Sequence, residues 1–293
     1  MRRPVREITL EAQGVTLSGL LALPDTGSPE AVLVALHGGG MRAGYFHGQA
    51  DPGLSLLTLA AERGHTVLAL DRPGYGASAD ALPEGLELAG QSTLVRAALA
   101  GFARTHPTGA GFFLLGHSLG GKLALTTAAD WTGDGLLGVD VSGISDRWAV
   151  DPRQLTSGGD RGPTHQLHWG PLALYPPGTF RLATPLVAPM PSREAREVSS
   201  WPDAYPAVAR RVRVPVRLTF AEHERWWRCD SATVEAMAAQ LAAPLVRVDR
   251  LADTGHNISL GRTAPLYHRD ALAFLEECRT RHEQQSPADR EAA

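Results

Sequence analysis

A serine set between glycines, Gly116-His117-Ser118-Leu119-Gly120, is the grouping in this sequence best suited to covalent chemistry. A serine hydroxyl is a weak nucleophile near neutral pH and needs a base to take its proton, with an acid to orient that base. Gly-x-Ser-x-Gly alone is weak evidence, because at about 7% glycine a chain this long holds one by accident roughly one time in ten. The setting adds the weight. The apolar run Gly111-Phe112-Phe113-Leu114-Leu115 reads as a buried strand ending at the motif, and residues 121–129 read as a helix leaving it. A strand, a tight turn and a helix N-terminus would lift the Ser118 hydroxyl above the sheet edge, where the helix dipole favours developing negative charge. Gly116 and Gly120 fit such a turn because a Cβ at either position would strike the neighbouring strand or helix.

The chemistry needs two further parts. Oxyanion donors are expected from the N–H of Leu119 and from Gly39 or Gly40 in the glycine loop His37-Gly38-Gly39-Gly40, which follows the apolar run at 31–36. For the base, His256 is the best placed of eleven histidines, in the polar run Asp253-Thr254-Gly255-His256-Asn257 between the last predicted strand and the last helix. His37, His65, His106 and His223 read as capping, packing or solvent-facing residues, while His165 and His168 lie where they could meet a substrate. For the acid, Phe220-Ala221-Glu222-His223-Glu224 supplies two carboxylates just past a strand. Glu224 is favoured over Glu222, and Asp146, or less readily Asp140, is a competing placement.

The elements that must position these residues alternate. Residues 5–23 read as an antiparallel hairpin turning at Gln13-Gly14. Short unalternating apolar runs at 31–36, 66–70, 111–115 and 136–141 read as strands buried on both faces of a parallel sheet. Helical spacing is present at 54–63, 88–106 and 121–129. From 145 to 209 the rhythm breaks among prolines, glycines and tryptophans, which suggests an inserted lid with short helices near 193–199 and 204–211. A strand at 214–220, a helix at 231–241, a strand at 245–248 and a helix at 265–281 resume the pattern. The expected organisation is therefore an α/β core, 1–144 and 210–283, a lid, 145–209, and a flexible tail, 284–293.

Bulk properties narrow the partners. A chain of 293 residues with 43% hydrophobic content can bury one large core. Its formal net charge of -3 gives no electrostatic reason to expect nucleic acid or an anionic membrane, so a small-molecule substrate is expected. No run nears the roughly 18 apolar residues of a membrane span, and the polar residues after the basic start argue against a signal peptide. Cys229 and Cys278 lack disulfide or zinc spacing, which fits a reducing cytoplasm.

With these motifs in hand, the chain resembles the α/β-hydrolase superfamily, in its serine-nucleophile, esterase- or thioesterase-like branch. The resemblance rests on His37-Gly38-Gly39, Asp71-Arg72-Pro73-Gly74-Tyr75-Gly76-Ala77-Ser78, Gly116-His117-Ser118-Leu119-Gly120-Gly121 and Gly255-His256, in that order. It implies a mostly parallel twisted sheet flanked by helices, and a fold-shaping rather than chemical role for Asp71. Ser118, where epoxide hydrolases and haloalkane dehalogenases carry aspartate, argues against both. A glutamate at 222 or 224 departs from the branch's usual aspartate. The implied reaction is acyl transfer from an ester, thioester or related carbonyl, with neither metal nor organic cofactor. The same residues would also suit elimination, cyclisation or transacylation of a metabolite, and a ligand-binding protein on a retired hydrolase scaffold is the alternative from another class. Trp226 and Trp227, which follow the acid loop, and His168 and Trp169 in the lid are the expected substrate contacts.

Overall fold

The computed structural model describes residues 4–25, 27–155 and 165–290. Strands β1 Arg6–Ala12 and β2 Val15–Ala22 form the opening antiparallel hairpin, which turns through Gln13 and Gly14. Both turn residues have positive φ, 51° and 80°, as the Gln-Gly dipeptide predicts. The remaining core elements follow in alternation: β3 Val32–Leu36, α1 Leu56–Glu62, β4 Thr66–Leu70, α2 Leu88–Ala103, β5 Phe112–His117, α3 Leu119–Ala129 and β6 Leu136–Ser142. One eight-stranded sheet results, in the order β1-β2-β4-β3-β5-β6-β7-β8, with β7 Val216–His223 and β8 Val246–Gly255 completing it. The pairings from β4 through β8 are parallel, while β1 and β2 are antiparallel to their neighbours.

The central strands are largely apolar because both faces are covered, with the buried Asp140 of β6 and Arg217 of β7 paired to each other. Val32, Val34 and Leu36 of β3 pack into a core with α2, α3, α7 Trp201–Ala209 and α8 Ser231–Ala238, whereas Leu33 and Ala35 pack against α1 and α9 Ala264–Arg290 on the other side. The same division separates Leu114 from Phe113 and Leu115 in β5. Successive strand residues face opposite ways, so a continuous apolar run is what burial on both sides requires.

Two elements differ from the sequence expectation. Strand β8 runs on from 248 to Gly255 and ends against His256; it is an edge strand, and Asp249, Arg250 and Asp253 interrupt its apolar residues and hide the strand pattern. Helix α9 reaches Arg290 instead of stopping near 281. Arg279 pairs with Glu276 and Glu283, and Arg281 with Glu277, the i,i+3 and i,i+4 spacings that support an exposed helix. Residues 291–293 of the expected tail lie outside the described residues.

Between β6 and β7 the chain leaves the sheet. Its described part there forms short helices, α4 His165–Trp169, α5 Thr179–Ala183, α6 Ser192–Glu197 and α7, linked by single 3₁₀ turns. Helices α6 and α7 lie near the two expected ones. Helices α4 and α5 were not legible, because five residues are too few turns for a 3.6 period to register. Residues 156–164 of the expected lid lie outside the described residues.

Candidate active site

The parallel strands end at one rim of the sheet, and the chemistry-bearing residues follow those ends. His37–Gly40 follows β3, Ser118 follows β5, Gly143 follows β6, Glu224 follows β7 and His256 follows β8. This is the edge at which open parallel sheets bind ligands. Ser118 has φ 52° and ψ -121°, a conformation that costs a non-glycine residue of order 1–3 kcal/mol. Close packing enforces it. The Cα of Gly120 lies against the Leu36 and His37 carbonyls, and that of Gly116 against Gly120 and Gly121, so a Cβ at either position would overlap backbone. Ser118 is the N-cap of α3, and Leu119 opens the helix with an N–H that has no intrahelical acceptor.

His256 and Glu224 are in contact. His256 Nδ1 lies 2.7 Å from Glu224 Oε2, and both side chains are almost fully buried. A carboxylate can only accept, so in the neutral ring the proton sits on Nδ1 and Nε2 keeps its lone pair for use as a base. The second carboxylate oxygen, Oε1, accepts from the backbone N–H groups of Arg225 and Trp226 at 3.0 and 2.9 Å. The competing carboxylates are engaged elsewhere. Glu222 is exposed and accepts from the Asp253 N–H, Asp146 accepts from Gln240, and Asp140 is buried against Arg217 at 2.6 Å and accepts from Tyr267. Asp71 accepts from Ser18 Oγ and the Ala43 N–H, tying loops together as expected.

The His256 ring packs on His117, the residue before Ser118, with centroids 4.9 Å apart. Burial and the neighbouring His256 charge hold His117 well below the ordinary histidine range, so it stays neutral and does not compete with His256 for a proton. Gly143 makes this approach possible. At φ 68°, a Cβ there would stand 2.6 Å from His117 Cε1 and 3.2 Å from His256 Cε1. Of the two expected glycine donors, Gly40 gives its N–H to Tyr75 Oη at 3.1 Å, so Gly40 is already committed. Gly38 sits nearest the serine, with its own Cβ direction 3.2 Å from Ser118 Cβ.

The 145–209 segment touches each of these loops. Asn257 Nδ2 donates to the His168 carbonyl, Ala188 N–H donates to the Gly40 carbonyl, and Lys122 Nζ in α3 donates to the Val198 carbonyl. The three expected tryptophan contacts are packed rather than open, and His168 is half-buried. Trp226 is 1% exposed and lies 4.9 Å from the His168 ring; Trp227 is 3% exposed and stacks on Trp148; Trp169 packs with Tyr175 and Phe180.

Lys122 and Glu194 were not singled out by the sequence, and Arg72 and Tyr75 entered only within the 71–78 run; all four are buried beneath the site. The Lys122 ammonium lies 4.9, 5.0 and 5.7 Å from the ring centroids of Trp148, Trp227 and Trp201. Burial pushes it down from the ordinary 10.5 to about 7, with Glu194 and Glu197 pulling the other way. Between those two pH values the unfolded chain carries a proton that the folded chain lacks, so stability should rise with pH across that window. Chemical denaturation of the protein and of Lys122→Met should show it. The wild-type free energy relative to the variant should climb from pH 7 to 10 by at most about 1.4 kcal/mol per unit, and a flat difference would refute the depressed lysine.

Comparison with known proteins agrees with this fold. A yeast monoglyceride lipase, a soluble variant from Saccharomyces cerevisiae bound to a substrate analogue, superposes with a TM-score of 0.70 at 13% identity, covering 95% of this chain and 96% of that one. A thermostable carboxyl esterase from Bacillus coagulans gives 0.67 at 15%, covering 94% and 99%. A dienelactone hydrolase from Anabaena variabilis gives 0.56 at 15%, covering 94% and 97%. Such identities carry the fold and no more. No curated protein matches the sequence. A family model described as "Alpha/beta hydrolase family" matches residues 32–273, from the first parallel strand into the last helix and across every loop of the rim. With the sheet order, the strained serine turn and this match in agreement, the chain belongs to the alpha/beta hydrolase family.

Proposed function

We propose that this protein is a serine hydrolase that cleaves an ester or related acyl bond of a small apolar molecule through an acyl-enzyme. The observation that carries the reading is the buried 2.7 Å His256–Glu224 hydrogen bond at the same sheet rim as a serine at φ 52°. His256 Nε2 takes the Ser118 proton as Oγ bonds to the carbonyl carbon. The N–H groups of Leu119 and Gly39 hold the oxyanion, and the imidazolium then protonates the leaving alkoxide as the C–O bond breaks. Water, deprotonated by His256, attacks the acyl carbon; the Ser118 Oγ–C bond then breaks, the acid leaves, and the imidazolium returns the proton to Ser118. Glu224 fixes the ring and stabilises its charge. None of these steps uses a metal or organic cofactor.

Residues 145–209 act as a lid in this reading, and their ties to the serine helix, the glycine loop and the histidine loop support that role. His168 and Trp226, packed on each other beside the Glu224–His256 pair, form an apolar wall near the base. Trp169 and Trp227 adjoin those two residues in the chain and are the further proposed contacts for a bulky acyl group. The ester chemistry named for the carboxyl esterase and lipase neighbours supports the reaction class.

The test is a fluorophosphonate probe followed by intact-mass and peptide analysis. One adduct on Ser118, together with turnover of p-nitrophenyl esters that places solvent heavy oxygen in the acid product, is the expected result. No adduct on a folded protein would refute the acyl-enzyme, and an acyl product without solvent oxygen would shift the acceptor from water to another nucleophile.

A further inference from the structure

The loop bearing the proposed oxyanion donor is held through Arg72 by Glu194, a residue 122 positions beyond that arginine, in the 145–209 segment. Arg72, fully buried, makes a two-point ion pair with Glu194 of α6, Nη1 to Oε2 at 2.7 Å and Nη2 to Oε1 at 2.9 Å. Its other guanidinium protons go to the His37 carbonyl from Nε at 2.7 Å, to Gln91 Oε1 from Nη1 at 3.0 Å and to the Gly38 carbonyl from Nη2 at 3.3 Å. All five donors therefore have an acceptor, and two of the five are the Glu194 oxygens. The same carboxylate holds the other end of the loop, because Glu194 Oε1 also accepts from Tyr75 Oη at 2.8 Å while Tyr75 Oη accepts from the Gly40 N–H.

The consequence for the donor follows from peptide geometry. In a planar trans peptide the C=O of one residue and the N–H of the next point in opposite directions. His37 Nε2 accepts the Arg72 backbone N–H at 3.0 Å, so its proton is on Nδ1, which donates to the Gly38 carbonyl at 2.8 Å. The Gly38 carbonyl is thus fixed by His37 and Arg72 together, and the Gly39 N–H must face away from Arg72. A flip of that peptide would leave the guanidinium and the imidazole without their acceptor in a dry site.

We propose that Glu194 is a positioning residue that holds the Gly39 N–H in its oxyanion-binding orientation by clamping Arg72 and Tyr75. This rests on the assignment of Gly39 as an oxyanion donor. Without the carboxylate, Arg72 keeps a buried charge with two donors unpaired and must turn to find new acceptors, which frees the Gly38 carbonyl. Substrate binding in the ground state should be little affected, because the oxyanion forms only along the reaction path.

The test uses the full chain and p-nitrophenyl butyrate. Glu194→Ala should lower kcat by about 10²-fold, the scale of one lost oxyanion donor, with KM within about threefold. Affinity for a trifluoromethyl ketone, whose serine adduct carries an oxyanion, should fall in parallel, and added acetate should restore part of kcat. Glu194→Gln keeps the volume and some of the hydrogen bonds, and it carries the same test should the alanine variant not fold; its kcat should fall at unchanged KM, by less. A variant with wild-type kcat and ketone affinity, or one altered only in KM or thermal stability, would overturn the role of Glu194. A wild-type protein that the fluorophosphonate leaves unlabelled at Ser118 would overturn the underlying site assignment instead.

Discussion

Ser118→Ala should cost about 10⁵- to 10⁶-fold in kcat on an activated ester, and the folded structure should not register the change. The loss scale is that of removing a nucleophile whose base and acid work only through it. A residual rate should survive, because Leu119 and Gly39 still offer N–H groups to a carbonyl attacked directly by water, and such sites retain roughly 10³-fold over the uncatalysed reaction. Stability should stay near wild type. The strained turn is imposed by contacts at Gly116 and Gly120 rather than by the hydroxyl, and Ser118 anchors the turn through its backbone, accepting from Gly121 and donating to the Ser142 carbonyl. Steady-state kinetics with a stopped-flow search for the acyl burst would check it. A variant that keeps its burst, or more than about 1% of kcat, would remove Ser118 from the chemistry.

The parts of the fold legible in the sequence are those in which local pattern and burial coincide. Strands β3 to β6 are buried on both faces, so each reads as a largely apolar run, broken in β6 by Asp140, and the turn at Gln13-Gly14 is written in one dipeptide. Strand β8 was underread because, at the sheet edge, Asp249, Arg250 and Asp253 interrupt its apolar residues. The serine and histidine were legible as motifs because their loops are short and sit at fixed places in a strand-helix alternation. The carboxylates were harder. Glu222 and Glu224 lie two residues apart as the chain leaves the sheet, and which one turns inward depends on the irregular pairing of β7 with β8 between Ala221 and His223.

Long-range polar contacts leave no local signal. Arg72 sits in a run whose glycines and proline announce a turn, but its partner Glu194 is one carboxylate among many in a segment without periodicity. Gly40 likewise matches Gly39 in type and differs only because Tyr75, 35 positions away, takes its N–H. Lys122 reads as one polar residue in a helix. Its burial follows from tryptophans arriving on three separate segments, after β6, in α7 and after β7. These contacts explain why α3 can carry a lysine on a face that is otherwise sealed.

The choice among carboxylates gives the second large effect. Glu224→Ala should lower kcat by about 10⁴-fold, roughly 5 kcal/mol of transition-state stabilisation, since His256 would lose both its orientation and the countercharge for its imidazolium. Glu224→Gln should be nearly as severe, for a reason particular to this loop. The Arg225 and Trp226 N–H groups already donate to Oε1, so a glutamine would keep its carbonyl oxygen there and turn its NH₂ toward His256 Nδ1. An NH₂ facing Nδ1 makes that nitrogen the acceptor and moves the ring proton to Nε2, the atom that must receive the serine proton. Conservative size thus works against function. Glu222→Gln and Asp146→Asn should remain within about threefold of wild type, because Glu222 is an exposed acceptor for Asp253 and Asp146 an acceptor for Gln240. Side-by-side kcat values for the four variants decide the matter. Near-normal turnover by Glu224→Gln alongside collapse of Asp146→Asn would move the acid to the loop after β6 and undo the tautomer argument.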